Sequence, residues 1–275
     1  SLWDAGYPRM LRLAPEPPPV LFVRGSRPQL SVRAVAVVGS RQADMAGVLA
    51  AERLAMELAA AGFTVVSGLA QGIDAAAHRG ALRAGGCTVG VLGCGIDRVY
   101  PREHDELYGA VARAGALVSE YGPGVEPAPW QFAARNRIIA GLCAAVVVVE
   151  ARARSGALAT AQWAAELSRE VLAVPGRPTD ERSLGANRLI QDGAYPVLGA
   201  EDVLSYLGFS GKPKPPLDLS PEEARLYERL RQGEALPDDL AEALGLPAER
   251  VLALLTLLEV KGLAQALPGG RYGAL

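Results

Sequence analysis

The sequence predicts an α/β protein: an extended Rossmann-like parallel sheet with helices on both faces, followed by a small C-terminal winged-helix-like domain. Three observations carry this reading. Short apolar runs alternate with helical patterns in units of about 30 residues, and parallel neighbours need crossovers of that kind. Glycine-bearing turns follow the runs, which puts them together at one edge of such a sheet. A Pro/Gly/Lys-rich segment, residues 208–219, then reads as a linker to three further helical patterns and a hairpin.

Residues 1–33 are a lead-in expected to pack on the main domain. A Tyr7-Pro8 turn and the prolines of residues 15–19 precede the apolar stretch Val20 to Val23. Proline cannot donate to a ladder, so this stretch belongs at an edge. The Rossmann-like domain covers residues 34–207 and opens with a strand, Val35 to Val38, the turn Gly39-Ser40-Arg41, and a helix stopped by Gly62. The unit repeats: strand Thr64 to Ser67, turn Gly68 to Gly72, helix Ile73 to Arg83. Strand Thr88 to Leu92 leads through Gly93 to Gly95 to a helix over Arg102 to Ala114. Strand Ala116 to Ser119 runs into a Gly/Pro loop, Tyr121 to Pro129, and a helix is expected from Arg135 to Leu142.

The next run, Ala145 to Val149, holds four consecutive valines and is closed by Glu150. It is too short for an independent helix and reads as a strand buried on both faces. A Ser155-Gly156 turn opens a helix to residue 168, strand Val171 to Val174 ends at Pro175-Gly176, and short helices follow over Gly185 to Asp192 and Glu201 to Leu207. In the tail, residues 220–275, Ser220 is placed as an N-cap with Pro221 at the first helical position and Glu223 completing a capping box. Gly245 and Gly262 stop the next two helices, and Pro268-Gly269-Gly270 joins two short strands.

With 275 residues the chain can bury a large core and still carry a second small domain. The formal charge of −2 gives no global basic signal, so a nucleic-acid surface would have to be a local patch. Of the 28 basic residues 25 are arginine, the side chain suited to bidentate phosphate contacts. The tail carries nine acids against six bases, which argues for a protein-contact or regulatory module over a duplex reader. Cys87, Cys94 and Cys143 read as reduced structural thiols, with Cys94, in the turn Gly-Cys-Gly, expected to be the most exposed. The first ten residues lack the apolar core of a signal peptide and no apolar stretch reaches membrane-spanning length, so a cytoplasmic location is expected.

The chemistry is concentrated in four turns: Gly39-Ser40-Arg41, Ser67 to Asp74, Ser155-Gly156 and Pro175-Gly176. Glycine lets backbone amides approach a ligand, and the helix behind each turn favours negative charge. One such turn says little, since ordinary strand-to-helix junctions also use glycine. Four at one sheet edge, with Arg41, Arg102, Arg135 and Arg137, point to an extended anion. Neither G-x-G-x-x-G nor G-x-x-x-x-G-K-[ST] follows any strand, which disfavours dinucleotide and P-loop sites. His78 and His104 lie in predicted helices without metal-ligand spacing, so no metal site and no histidine-based catalysis is expected, and His78 reads as a packing residue. Asp74 serves either as a helix N-terminal charge or as a ligand contact, and Glu150 either as an ion-pair partner or as an orienting carboxylate.

These residues together carry a resemblance. The ordered segments VVGSR (37–41), SGLAQGIDAAAH (67–78), GCGIDRVYP (93–101), SEYGPG (119–124), FAARNRIIAGL (132–142), VVVEARARSGALATA (147–161), VPG (174–176) and LGANRLIQDGA (184–194) resemble the DNA-processing protein A family, DprA or Smf, over about residues 7 to 200. Ala133-Ala134 stands where members often have proline, and Cys143 where serine is frequent. The resemblance implies a Rossmann domain that binds single-stranded DNA without catalysing a reaction and without a cofactor. It also implies protection of incoming DNA during natural transformation, loading of the RecA recombinase and a homodimer, here expected through Ala194 to Leu207. The pocket it implies comprises Gly39, Ser40, Arg41, Ser67, Gly68, Gly72, Arg102, Arg135, Asn136, Arg137, Ser155 and Gly156. The competing reading is a nucleotide-hydrolysing Rossmann enzyme related to phosphoribohydrolases, whose P-G-G-x-G-T-x-x-E signature does not occur in the chain.

Overall fold

The computed structural model describes residues 1–25, 33–209, 219–231, 233–261, 263–267 and 269–274. Most of the expected linker, the Gly262 stop and Pro268 of the hairpin turn lie outside these residues. The chain forms two compact units, residues 1–217 and 218–275.

In the first unit a four-residue helix, α1 (Arg9–Arg12), precedes strand β1 (Phe22–Gly25). The winding series follows as β2 (Ala34–Val38), α2 (Met45–Ala60), β3 (Thr64–Ser67), α3 (Ile73–Arg83), β4 (Thr88–Val91), α4 (Asp105–Ala114) and β5 (Ala116–Ser119). It continues as α5 (Pro129–Leu142), β6 (Ala145–Val148), α6 (Gly156–Glu166), β7 (Glu170–Ala173), α7 (Leu184–Gln191), β8 (Tyr195–Pro196) and α8 (Ala200–Tyr206). The strands make one eight-stranded sheet in the order β1-β5-β4-β3-β2-β6-β7-β8. All pairs are parallel except β1 with β5, so the proline-led lead-in strand closes one edge.

Every residue of β2 and β6 is buried, as their unbroken Ala/Val sequences require of strands covered on both faces. Alternate side chains divide between two cores. Val35, Val37 and Val147 face α2, α3 and α8 through Leu54, Leu58, Ile73 and Val203. Ala36, Val38, Val146 and Val148 face α5, α6 and α7 through Ile138, Ile139, Ala161 and Ala186. The alanine-rich α2 and α3 pack against each other so tightly that a Cβ at Gly80 would lie 2.1 Å from the Glu52 carbonyl oxygen.

Three differences from the sequence reading have physical reasons. Helix α5 begins at Pro129, six residues before the expected start, because proline is well suited to the first helical position and the Gln131 side chain accepts the Ala128 N–H at 2.5 Å. The helix expected from Arg102 starts as a 3-10 turn, Arg102–His104, and becomes α-helical at Asp105. Strand β8 has only two residues, too few for any periodicity to show.

The second unit holds α9 (Pro221–Arg231), α10 (Pro237–Leu244), α11 (Ala248–Val260) and an antiparallel hairpin of β9 (Ala264–Leu267) and β10 (Arg271–Ala274). A bridge between Ala235 and Tyr272 adds a third extended segment, giving the winged-helix arrangement. Leu226, Leu230, Leu240, Leu254, Leu255 and Leu258 fill its core. The capping box forms as expected: Ser220 N donates to Glu223 Oε2 at 2.7 Å and Glu223 N to Ser220 Oγ at 3.3 Å. Gly245 ends α10 in the left-handed conformation at φ 66°. Among the described residues no helix is long and apolar enough to cross a membrane.

Replacing Gly80 by valine forces α2 and α3 apart and is expected to destabilise the first unit by about 1–3 kcal/mol, read as a lower urea midpoint with an unchanged slope.

Candidate functional site

In an open α/β sheet, ligands collect where successive connections leave in opposite directions. That point lies between β2 and β6, because the chain winds outward from β2 through β3, β4 and β5 and then returns to the other flank with β6. A cavity of about 580 Å³ opens over the carboxyl ends of this pair. Its walls are the turn after β2 (Gly39 to Gln42), residues Ala70, Gln71 and Asp74 at the start of α3, the first turns of α5 from Pro129 to Asn136, and the loop from Arg152 into α6.

The turn after β2 is held from both sides. Ser40 N donates to the Glu150 carbonyl at 2.7 Å, and the Ser40 carbonyl accepts from Ile73 N at 3.1 Å. A Cβ at Gly39 would lie 2.6 Å from Ile73 Cγ1, and one at Gly72, which has φ +74°, would lie 2.2 Å from the Ser40 carbonyl oxygen. The glycines of these two turns therefore let the walls interlock, whereas the sequence reading assigned them to ligand approach. Gly156 is the contrasting case: a Cβ there would meet nothing within 4 Å. It is exposed at the first position of the 11-residue α6, capped by Ser155 Oγ accepting from Ala157 N at 3.3 Å, so the positive end of that helix opens on the cavity.

Three exposed arginines, Arg41, Arg152 and Arg154, line the rim. None takes part in an ion pair among the described residues. The Arg41 guanidinium sits 5.5 Å from the centroid of the Phe132 ring, which in turn lies 5.2 Å from the half-exposed Tyr100 ring. The rim thus pairs positive charge with an aromatic surface.

Arg135 plays a different part. Its side chain is buried, and Nη1 donates to the Gly68 carbonyl at 2.8 Å and to the Val91 carbonyl. A Cβ at Gly68 would overlap this guanidinium, so the glycine exists to admit it. Asp74, also buried, accepts from Gly68 N at 3.2 Å. Burial pushes the Asp74 carboxyl above its ordinary range while Arg135 pulls it back, and burial lowers the Arg135 pKa while Asp74 opposes the shift. The pair forms the cavity floor.

Of the expected residues, Gly39, Ser40, Arg41, Arg135, Asn136, Ser155 and Gly156 line the cavity. Asn136 ties two walls together, its Nδ2 donating to the Gly156 carbonyl at 3.3 Å. Ser67, Gly68 and Gly72 stand behind it; Ser67 Oγ donates to the Val37 carbonyl at 2.7 Å. Arg102 is exposed on the adjoining 3-10 turn but does not line it. Arg137 turns away, as two residues along a helix reverse the face, and holds Glu120 with both nitrogens at 3.1 and 2.7 Å.

The sequence reading passed over Arg152, Arg154 and Phe132. The first two sit in the Arg-x-Arg directly before Ser155, a legible signal; Phe132 falls between the loop, read to Pro129, and the helix, expected only from Arg135, so its place on the first turn of α5 is not legible in the sequence. Cys94, expected to be exposed, is buried among Leu92, Leu107, Tyr108 and Leu117, since its loop is pulled inward by Ser119 Oγ donating to the Cys94 carbonyl at 2.6 Å. Burial pushes its thiol up to about 11. His78 is buried with Nδ1 2.7 Å from Thr88 Oγ1, and burial lowers its pKa to about 3. Glu150 acts as a clamp, its Oε2 accepting from Asp44 N at 3.3 Å. No group of His, Cys, Asp and Glu among the described residues could hold a metal ion.

The two kinds of arginine separate experimentally. Arg135→Met leaves the buried Gly68 and Val91 carbonyls without their donor and Asp74 without its neighbouring positive charge, and is expected to cost about 3–5 kcal/mol of stability in thermal or urea unfolding. Arg41→Ala, at an exposed rim position, is expected to shift stability by less than about 0.5 kcal/mol.

Comparison with known proteins agrees with this architecture. The family model for DNA recombination-mediator protein A matches residues 1–208, and one for the DprA winged helix domain matches residues 210–270. The chain is 45% identical over 250 residues to a putative DNA processing protein DprA of Mycobacterium tuberculosis, covering 88% of this chain and 64% of that protein. The X-ray structure of DNA processing protein A from Streptococcus pneumoniae superposes with a TM-score of 0.73 at 43% identity, covering 77% of this chain and 74% of that one. A Helicobacter pylori DNA processing protein A, whose structure was described for its single-stranded DNA binding mode, gives 0.68 at 28% identity over 73% of this chain and 92% of that one. With a family match spanning the whole α/β unit and its turns in order, the chain belongs to the DNA recombination-mediator protein A (DprA/Smf) family.

Proposed function

We propose that the protein binds single-stranded DNA in the switch-point cavity and hands it to the RecA recombinase during natural transformation and recombination, without catalysing a reaction on it. The observation that carries the binding step is the cavity rim: three arginines free of ion pairs among the described residues, the N-terminus of α6 and the Phe132 ring converge on one groove. Arginine forks and helix amides suit successive phosphates, and a ring beside them suits a base, a combination that holds a strand with little sequence preference. Duplex DNA hides its bases from such a rim. The described lining contains one carboxylate, Asp74, committed to Gly68 and Arg135, and neither histidine nor cysteine, which supports binding over chemistry. The H. pylori relative's single-stranded DNA binding mode supports the same ligand. Recombinase loading, DNA protection and a cytoplasmic location rest on family membership.

The winged-helix unit fits a protein-contact or regulatory role better than duplex reading. Its α11 exposes Leu252 and Leu257, and Arg250 on the same helix is engaged with Glu222 at 2.6 Å. A homodimer through residues 194–207 is supported by apolar surface at the open edge of the sheet. Tyr195 and Tyr206 stack at 3.9 Å, both about two-fifths exposed, and Leu198 is 88% exposed.

In mobility-shift titrations at several salt concentrations, wild type is expected to prefer single- over double-stranded oligonucleotides, with affinity falling steeply as salt rises. Arg41→Glu should weaken binding at least about tenfold; equal binding by both proteins would remove Arg41 from the site, and release of a free base from a nucleotide would point to an enzyme instead. In sedimentation velocity at micromolar concentration the wild type should run as a dimer and Leu198→Glu as a monomer; a monomeric wild type contradicts the interface.

A further inference from the structure

We propose that the groove continues beyond the switch-point cavity, past Arg152 to Arg177 at the carboxyl end of β7, and that this extension holds the next phosphates of the same strand. The inference rests on the single-stranded DNA reading above and adds the direction in which the strand leaves. A second cavity of about 560 Å³ shares Gln42 and Arg152 with the first, so the two are contiguous, and it adds Arg177, Thr179 and the stretch Asp180 to Arg182.

The loop that carries Arg177 is held in shape on its own account. The Asn187 amide grips the Gly176 backbone at both ends, Oδ1 accepting from Gly176 N at 3.0 Å and Nδ2 donating to the Gly176 carbonyl at 3.0 Å. A Cβ at Gly176 would lie 2.1 Å from Ser183 Oγ, so only glycine lets the loop close on the start of α7. Arg182 spans from Asp180 at 2.9 Å to Asp44 at 3.2 Å, which joins the loop to the N-terminus of α2 and neutralises two of the acids beside the cavity.

That leaves a particular charge pattern. Arg152 and Arg177 are exposed and take part in no ion pair among the described residues, and the Thr179 hydroxyl lies between them and Arg182 in sequence. Glu181 is the one carboxylate of this lining outside the Arg182 cluster, and it opposes a passing phosphate. A hydrogen-bonded loop presenting an arginine free of ion pairs among the described residues, after the strand next to the two whose turns carry Arg41, Arg152 and Arg154, suits a polyanion that crosses the ends of β2, β6 and β7 in turn. A mononucleotide would need only the first cavity.

The test compares full-length wild type, Arg177→Ala and Glu181→Gln on oligothymidylates of about 6 and about 20 nucleotides over a salt series. Arg177→Ala should leave the short strand's affinity unchanged, weaken the long strand, and reduce the long strand's slope of log affinity against log salt by about 0.7, the value for one lost phosphate contact. Glu181→Gln should strengthen the long strand alone. Circular dichroism and melting confirm that each exposed substitution leaves the fold intact. If Arg177→Ala binds both lengths as wild type does while Arg41→Glu weakens both, the extension is wrong and the first site stands. If Arg177→Ala weakens both lengths equally, Arg177 belongs to the first site and the extension is again wrong. If wild type binds neither strand, the single-stranded DNA reading itself fails.

Discussion

The sheet edge that carries the cavity depends on one buried guanidinium. Arg135 reaches from α5 beneath the cavity to the carbonyls at the ends of β3 and β4, with Asp74 of α3 alongside. A charge taken this far from water is tolerated only when its donors are used and an opposite charge stands near. It therefore fixes where the turn after β3 can run and where α3 can begin. Gly68 has no side chain because the arginine fills that space. The rim arginines are the reverse case. They are exposed, carry no partner carboxylate among the described residues, and shape nothing. The same residue type thus does two jobs in one cavity, and burial decides which.

Much of the α/β unit was legible in the chain. Strands such as Thr64–Ser67 and Ala116–Ser119, and helix Ile73–Arg83, stand where the apolar runs and glycine stops put them. The order of the strands was not legible, since a strand's sequence records that both its faces are covered without recording which neighbour lies beside it. Elements whose beginnings depend on tertiary contacts were also blurred. Pro129 looks like the end of a loop until Gln131 is seen capping Ala128.

The site was legible as a neighbourhood. The motif turns named the sheet edge at which the cavity opens, and seven of the twelve expected residues line that cavity. Arg135 and Arg137 look equivalent in an Arg-Asn-Arg triplet, yet helical spacing sends one under the cavity and the other to Glu120. Glycine was the least informative residue type. Gly39 and Gly156 both follow strands, but the first is pressed against Ile73 and the second faces open space. Composition cannot separate those two reasons for lacking a side chain.

The interlock of the Gly39-Ser40 turn with Gly72 bears on how the proposed binding would be organised in time. A wall in which each turn fills the other's missing Cβ has no slack to take up when a ligand arrives. For the strand proposed above, the backbone of this wall would add little to the entropy lost on association, which would fall on the flexible strand and on the exposed side chains of the rim arginines. Capture of the proposed strand would then be set by the rate at which charge steers it to the rim. Release of the proposed strand would proceed one phosphate contact at a time. A holder of that kind would keep a strand against dilution while yielding it, segment by segment, to a competitor that binds the freed length more tightly.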